Sequence, residues 1–252
     1  MKITQELQSQ FEERFSQCET YVGLIEGLDS ALKNGNLSIA GTTRFVVSTD
    51  QQRILYSGVY LHLYNLVEAT MTSCLELVSK AVTEETKWRV KDLSEDLKRE
   101  WVKYVAQTNL PLANPERRLE YALALCDHLL SALPVEPFEI AKGGTGNWHE
   151  DEIYRIARRV GFELKVETST LQGVKKPVRD GLGAMKLVVE MRNKLAHGAI
   201  SFVECSRNDT PQDLRNLLHS VRDYMRDVVA SFSQYVIEHQ YLNEKSRPSR
   251  AS

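Results

Sequence analysis

The stretch YLHLYNLVEATMTSCLELV, residues 60–78, decides the fold. Its apolar residues follow neither the alternation of a half-buried strand nor the single stripe of a surface helix. From Ile54 to Val78 the chain is apolar on nearly all sides of a helix, and such a helix belongs in the middle of a bundle. A membrane span would have to hide His62, Asn65, Glu68 and Glu76 in hydrocarbon, so that reading is rejected.

Working outward, Asp50 is the expected N-cap of this helix, which runs to about Val82. Before it, Ile3, Leu7, Phe11, Phe15, Cys18, Val22, Ile25, Leu28 and Leu32 recur every three or four residues, one stripe on a long first helix. The connection holds Asn34, Gly35 and Gly41, with a short strand possible at TRFVV (43–47). Downstream, Leu97, Trp101 and Val105 face inward from a third helix, and Asn114 and Pro115 open a fourth that ends by Pro134. HEDEIYRIARRVG (149–161) is a short helix with acids in its first turn and a glycine after its last. The stretch through TSTLQGVKKP (168–177) reads as a loop. A helix from about Val178 to His197 and another from Thr210 to about Tyr241 follow, the latter with Thr210 as N-cap, Pro211 at N1 and Asp213 at N3. The expected architecture is an all-α, elongated bundle of six or seven helices: one domain over 1–242, with a frayed, disordered tail at 243–252.

The chain is 42% hydrophobic and 26% charged, as globular domains are, and its net charge of −2 excludes a polycation that coats nucleic acid. Cys18, Cys74, Cys126 and Cys205 lack the short spacings of zinc or redox motifs and are expected as free thiols in a reducing cytoplasm. The N-terminus lacks the apolar run of a signal peptide. The six histidines form neither HxxxH nor HExxH, so no metal and no cofactor is expected.

Chemistry concentrates in MRNKLAHG, residues 191–198. Asn193 and His197 lie four apart, on one helical face, and Arg192 flanks them. Histidine is the side chain that ordinarily exchanges protons near pH 7, and the negative end of a helix dipole favours its charged form. Arginine keeps its charge and offers a fork of donors that fits phosphate. The bland alternative is a helix whose last turn is basic and which stops at Gly198. RNA cleavage by its own 2′-hydroxyl needs both a base and an acid. One histidine serves as one of these at a time, so the chemistry suggests a two-fold dimer in which two copies of this helix end share a cleft. Between Arg155 and Lys194, ten basic residues face four acidic ones, a surplus that attracts a polyanion unless these side chains are merely solvated. Lys194, Arg158, Arg159, Lys175 and Lys176 are the candidates for holding an RNA backbone.

Glu68 either reaches this site or pairs with a buried arginine, the second being favoured because a buried carboxylate needs a partner. Tyr64 and Asn65 read as core groups. Glu204 and Arg207 follow the motif closely and either frame it or pair with each other. GGTGN (143–147) lacks the strand and the Lys-Ser ending of a phosphate loop and reads as a turn into a helix.

RNKLAHG resembles the R-x4-6-H signature of the HEPN superfamily, with four residues between Arg192 and His197 and Asn193 in the polar place after the arginine. YLHLYNLVEAT (60–70), GTGNWHEDEIYRIARRVGF (144–162) and RNKLAHGAISFVECSRNDTPQDL (192–214) are similar to a large prokaryotic branch of it met in defence and toxin loci. The resemblance spans roughly residues 50 to 240. It implies an all-helical homodimer, metal-independent RNA cleavage to a 2′,3′-cyclic phosphate and a 5′-hydroxyl, catalytic roles for Arg192 and His197 with Asn193 assisting, and an antitoxin or defence-system partner protein. Some members of the superfamily are catalytically silent and bind RNA, nucleotide or a partner; that alternative stays open at this point.

Overall fold

A computed structural model of the chain describes residues 2–33, 38–39, 45–84, 88–107, 114–143 and 147–248. Three long helices form its spine: α1 (Lys2–Lys33), α2 (Thr49–Thr83) and α9 (Pro211–Ile237), each packed against the other two. At ~1.5 Å per residue α2 is roughly 50 Å long. It buries sixteen residues, among them Leu63, Met71, Cys74 and Val78, which are wholly enclosed. The stripe expected on α1 is the buried one from Leu7 to Ile25. Each enclosed Leu, Val or Phe contributes about 1.5–3 kcal/mol, so the seam between these three helices dominates the stability of the fold.

The N-cap of α2 is Ser48, not Asp50. Its hydroxyl accepts from the Gln51 amide (3.2 Å) and the Gln51 side chain accepts from the Ser48 amide (2.9 Å), a reciprocal pair that satisfies two otherwise orphaned donors. The helix is also less enclosed than its composition suggests. Leu61, Asn65, Glu76 and Lys80 are exposed and Glu68 and Thr72 half-exposed, and these six lie at helical spacing on one strip. Asn65 is therefore on the surface rather than in the core. Gly58 marks the opposite kind of place. A Cβ there would collide with the Tyr21 hydroxyl, which crosses α2 to donate to the Leu55 carbonyl (2.8 Å).

The remaining helices cover this spine. They are α3 (Glu95–Val105), α4 (Pro115–Leu130), α5 (Glu150–Val160), α6 (Thr168–Lys175), α7 (Ala184–Ala196) and α8 (Phe202–Cys205), giving nine among the described residues. The number exceeds expectation because TSTLQGVKK contains α6, anchored by Val174, and because SFVEC closes a capping box into the single turn α8. α7 begins at Ala184, later than expected, because Val178 and Leu182 close a tight turn before it (Val178 amide to Leu182 carbonyl, 2.8 Å). The caps at Asn114, Pro115, Thr210, Pro211 and Asp213 form as the sequence implies. A two-residue antiparallel pair, Ser38–Ile39 with Phe45–Val46, stands between α1 and α2. The glycine and asparagine punctuation at 34–35 and 41, most of GGTGN and residues 249–252 lie outside the described residues. From the expected tail, Asn243 bonds the carbonyls of Asp92 and Lys91, and Ser246 bonds the Asp92 carboxylate. No helix among the described residues is long and apolar enough to cross a membrane.

Candidate functional site

α7 carries the motif. Met185, Leu187, Val188, Met191 and Leu195 are buried against α2 and α9, while Lys186, Glu190 and Lys194 follow one another at four-residue steps along the outer face. The helix stops in a Schellman motif. Gly198, at φ +66°, donates to the Leu195 carbonyl (3.2 Å), and Ala199 donates to that of Lys194 (2.8 Å). His197 is the C-cap. Its ring is exposed and makes no hydrogen bond, ion pair or ring contact among the described residues. A backbone turn requiring glycine thus fixes where an unencumbered imidazole stands.

Arg192 is held differently. Its guanidinium carbon lies 4.1 Å from the centre of the Tyr64 ring on α2, and one of its nitrogens donates to Asn193 Oδ1 (2.8 Å). The Asn193 amide then donates to Asn147 Oδ1 (3.0 Å), just before α5. Burial pushes the Tyr64 hydroxyl above its ordinary range; the Glu68 carboxylate adds to that and Arg192 opposes it. No carboxylate forms an ion pair with Arg192 among the described residues, so its charge is oriented but not neutralised. Asn193 therefore serves Arg192 and Asn147, not the His197 ring that the four-residue spacing suggested. No hydrogen bond joins Arg192 to His197, which are five positions and about 140° of helix apart.

Asn147 is a residue the sequence reading missed. Because Arg192 can only donate, Asn193 must accept from it with its oxygen and donate with its nitrogen, which forces Asn147 to accept. Asn147→Leu is expected to release the Asn193 side chain, and Asn147→Asp to keep it. The Asn193 side-chain amide resonances in an NMR spectrum check this: they should move toward free-amide positions in the leucine variant alone.

The turn after His197 is tied to α2 by buried polar groups. Arg53 donates to the Ser206 and Asp209 carbonyls (both 2.8 Å), Ser206 returns a bond to the Arg53 carbonyl (2.7 Å), and Ser57 donates to the Phe202 carbonyl. Arg179 donates to the Cys205 carbonyl (2.8 Å) and Asp209 Oδ1 (3.1 Å), while Tyr60 donates to Asp209 Oδ2 (2.8 Å). Desolvation raises the Asp209 carboxyl above its ordinary range, and Tyr60 and Arg179 oppose that only in part.

The other candidates separate into three groups. Arg158, Lys175 and Lys176 are exposed and form no ion pair among the described residues, and Lys194 is bound only to the surface carboxylate of Glu190 (3.1 Å). Arg159 is turned inward, a correction to its place among the RNA-facing cations. It pairs with the buried Glu100 (3.3 Å), a carboxylate that Lys103 also meets (2.6 Å), and donates to the Ala141 carbonyl. Glu68 stands half-exposed on the open strip of α2 and forms no ion pair among the described residues, so the buried pair expected for it is not made. Glu204 is the N3 residue of the α8 capping box, accepting from Ser201; those bonds hold its carboxyl below the usual range. Arg207 is exposed and does not bridge to Glu204. Of the ten cations between Arg155 and Lys194, Arg155, Arg159, Arg179, Lys186 and Lys194 are paired with carboxylates, so the positive surplus of the segment is only partly a surface property.

No curated protein and no solved structure matches the chain. A family model, described as MAE_28990-like HEPN, matches residues 3–241, from the first stripe of α1 to the turn after α9. The match takes in α7, its Schellman end and the Tyr64 platform together, and the chain belongs to the MAE_28990-like HEPN family.

Proposed function

We propose that this protein is a metal-independent endoribonuclease of a prokaryotic defence or toxin system, acting in the cytoplasm as a homodimer with a composite Arg192/His197 site. One observation carries the reading: an un-neutralised arginine, set on Tyr64 and oriented by Asn193, and an unpartnered histidine occupy the same helix end in a HEPN chain.

In the proposed reaction, one His197 takes the proton of the RNA 2′-hydroxyl as its oxygen bonds to phosphorus. The His197 of a second copy gives a proton to the departing 5′-oxygen as the phosphorus–oxygen bond breaks. The products are a 2′,3′-cyclic phosphate and a 5′-hydroxyl, with no change of oxidation state. Arg192 from each copy offsets the charge that gathers on the phosphoryl oxygens. Lys194, Arg158, Lys175 and Lys176 hold the flanking backbone. An exposed pair such as Lys194–Glu190 is worth only about 0–1 kcal/mol, so Lys194 exchanges it readily for a phosphate.

Incubating the protein with mixed RNA, with and without EDTA, tests the proposal. Cleavage indifferent to EDTA, leaving 5′-hydroxyl ends that accept phosphate from a polynucleotide kinase, is the expected result. RNA retained without turnover would instead identify a silent binding module, and cleavage lost in EDTA would refute the mechanism.

A further inference from the structure

α4 is the one long helix among the described residues that encloses none of its own side chains. Tyr121, Leu125 and His128 face the protein half-buried, the His128 ring lying 5.0 Å from that of Trp101. The other side is apolar and open: Leu119, Leu123 and Leu130 are 61%, 55% and 85% exposed, and Cys126 lies between them. On a wheel of about 100° per residue, these four fall within about 60° of one another. Glu116, Glu120 and Asp127 form a second row immediately beside them, within about 40°. All three carboxylates are exposed, and none has an ion-pair partner among the described residues. An apolar seam of this kind on a water-facing helix marks a contact surface.

The acidic row says what fits there. If a second copy of this chain lay antiparallel on the seam, the same flank of each helix would face its equivalent. Three carboxylates would then meet three carboxylates, an arrangement that opposes association. A parallel pair would set the three carboxylates against the flank of Ala122 and Leu129, where Arg118 is the single cation to meet them. An incoming helix bordered by lysine or arginine satisfies both rows at once. The geometry points to α4 as the docking site for an amphipathic helix of another protein, its leucine-type seam lying on Leu119, Leu123, Cys126 and Leu130 and its basic border on Glu116, Glu120 and Asp127. This inference stands apart from the RNA chemistry proposed at His197.

The test uses the full chain and two labelled synthetic helical peptides that share one leucine seam, one bordered by lysine and the other by glutamate. Fluorescence anisotropy should show the lysine peptide binding at least about tenfold more tightly, with an affinity that falls as salt rises. The paired substitution Leu123→Asp with Leu130→Asp, at exposed positions outside the buried core, should abolish that binding. Glu116→Gln, Glu120→Gln and Asp127→Asn together should remove the preference for lysine. Equal binding of the two peptides, no binding of either, or binding undiminished by the leucine substitutions overturns the inference. So does sedimentation showing that the leucine substitutions dissociate a self-assembled oligomer, because the occupant is then a second copy.

Discussion

His197→Ala is expected to lower the rate of the proposed RNA cleavage by about 10²–10⁴-fold, the usual worth of a positioned acid–base group, while the melting temperature and circular dichroism stay those of the parent. The two halves of this prediction come from one piece of geometry. His197 is the C-cap of α7, and its backbone is fixed by the Gly198 Schellman motif rather than by its own ring. That ring is exposed and unpartnered among the described residues, so trimming it opens no cavity and strands no buried polar group. A stability loss comparable to that of a core substitution would mean that the imidazole has a structural role. Undiminished cleavage would remove it from the mechanism. Arg192→Ala differs in kind: it also strips a cation from the Tyr64 ring, a contact worth about 0.5–2 kcal/mol, so its effect on cleavage has to be read beside its effect on folding.

Asp209→Ala is expected to destabilise the fold by about 3 kcal/mol, the low end for breaking a buried pair, because Arg179 keeps some contact with water. In a chain of this size that corresponds to a melting temperature lower by roughly 6–12 °C. The carboxylate is 9% exposed and serves both Arg179 and Tyr60. Removing it leaves the Tyr60 hydroxyl without its acceptor and takes one acceptor from the Arg179 guanidinium. Asp209→Asn keeps an acceptor for one of them and should lose markedly less. Thermal melts of the two variants check the order. The loss should carry over to cleavage, because the turn from Phe202 to Asp209 that follows His197 is anchored on α2 through this group. Equal melting of Asp209→Ala and the parent would show that the anchor lies elsewhere.

The spine of the fold was legible because burial writes itself as periodicity. The stripe from Leu7 to Ile25 and the apolar run through Leu63 and Val78 leave few alternatives to a central helix in a bundle. The caps at Thr210 and Asn114 were legible because few side chains can satisfy a helix N-terminus. α8 was not, since four residues hold no full period. Asn147 was invisible for a different reason: its partner, Asn193, is forty-six residues away and no local rule links them. Arg159 and Arg179 looked like surface cations because charge counting does not register a carboxylate from another element. Glu100 and Asp209, the acids that claim them, lie in α3 and in the turn before α9, outside the basic segment. The helix end with Arg192 and His197 was legible as a motif, but the tyrosine under the arginine was not, because Tyr64 reads as one more apolar position of α2.

Subunit dilution tests the shared site most directly. Parent and His197→Ala chains, carrying different tags, are mixed in the denatured state at a range of ratios, refolded together and assayed on RNA. If a single reaction needs an imidazole from each of two copies, cleavage falls as the square of the parent fraction, so an equal mixture retains about a quarter of the activity. Activity that falls in simple proportion to the parent fraction would mean that each chain works alone, and the composite Arg192/His197 site would be contradicted.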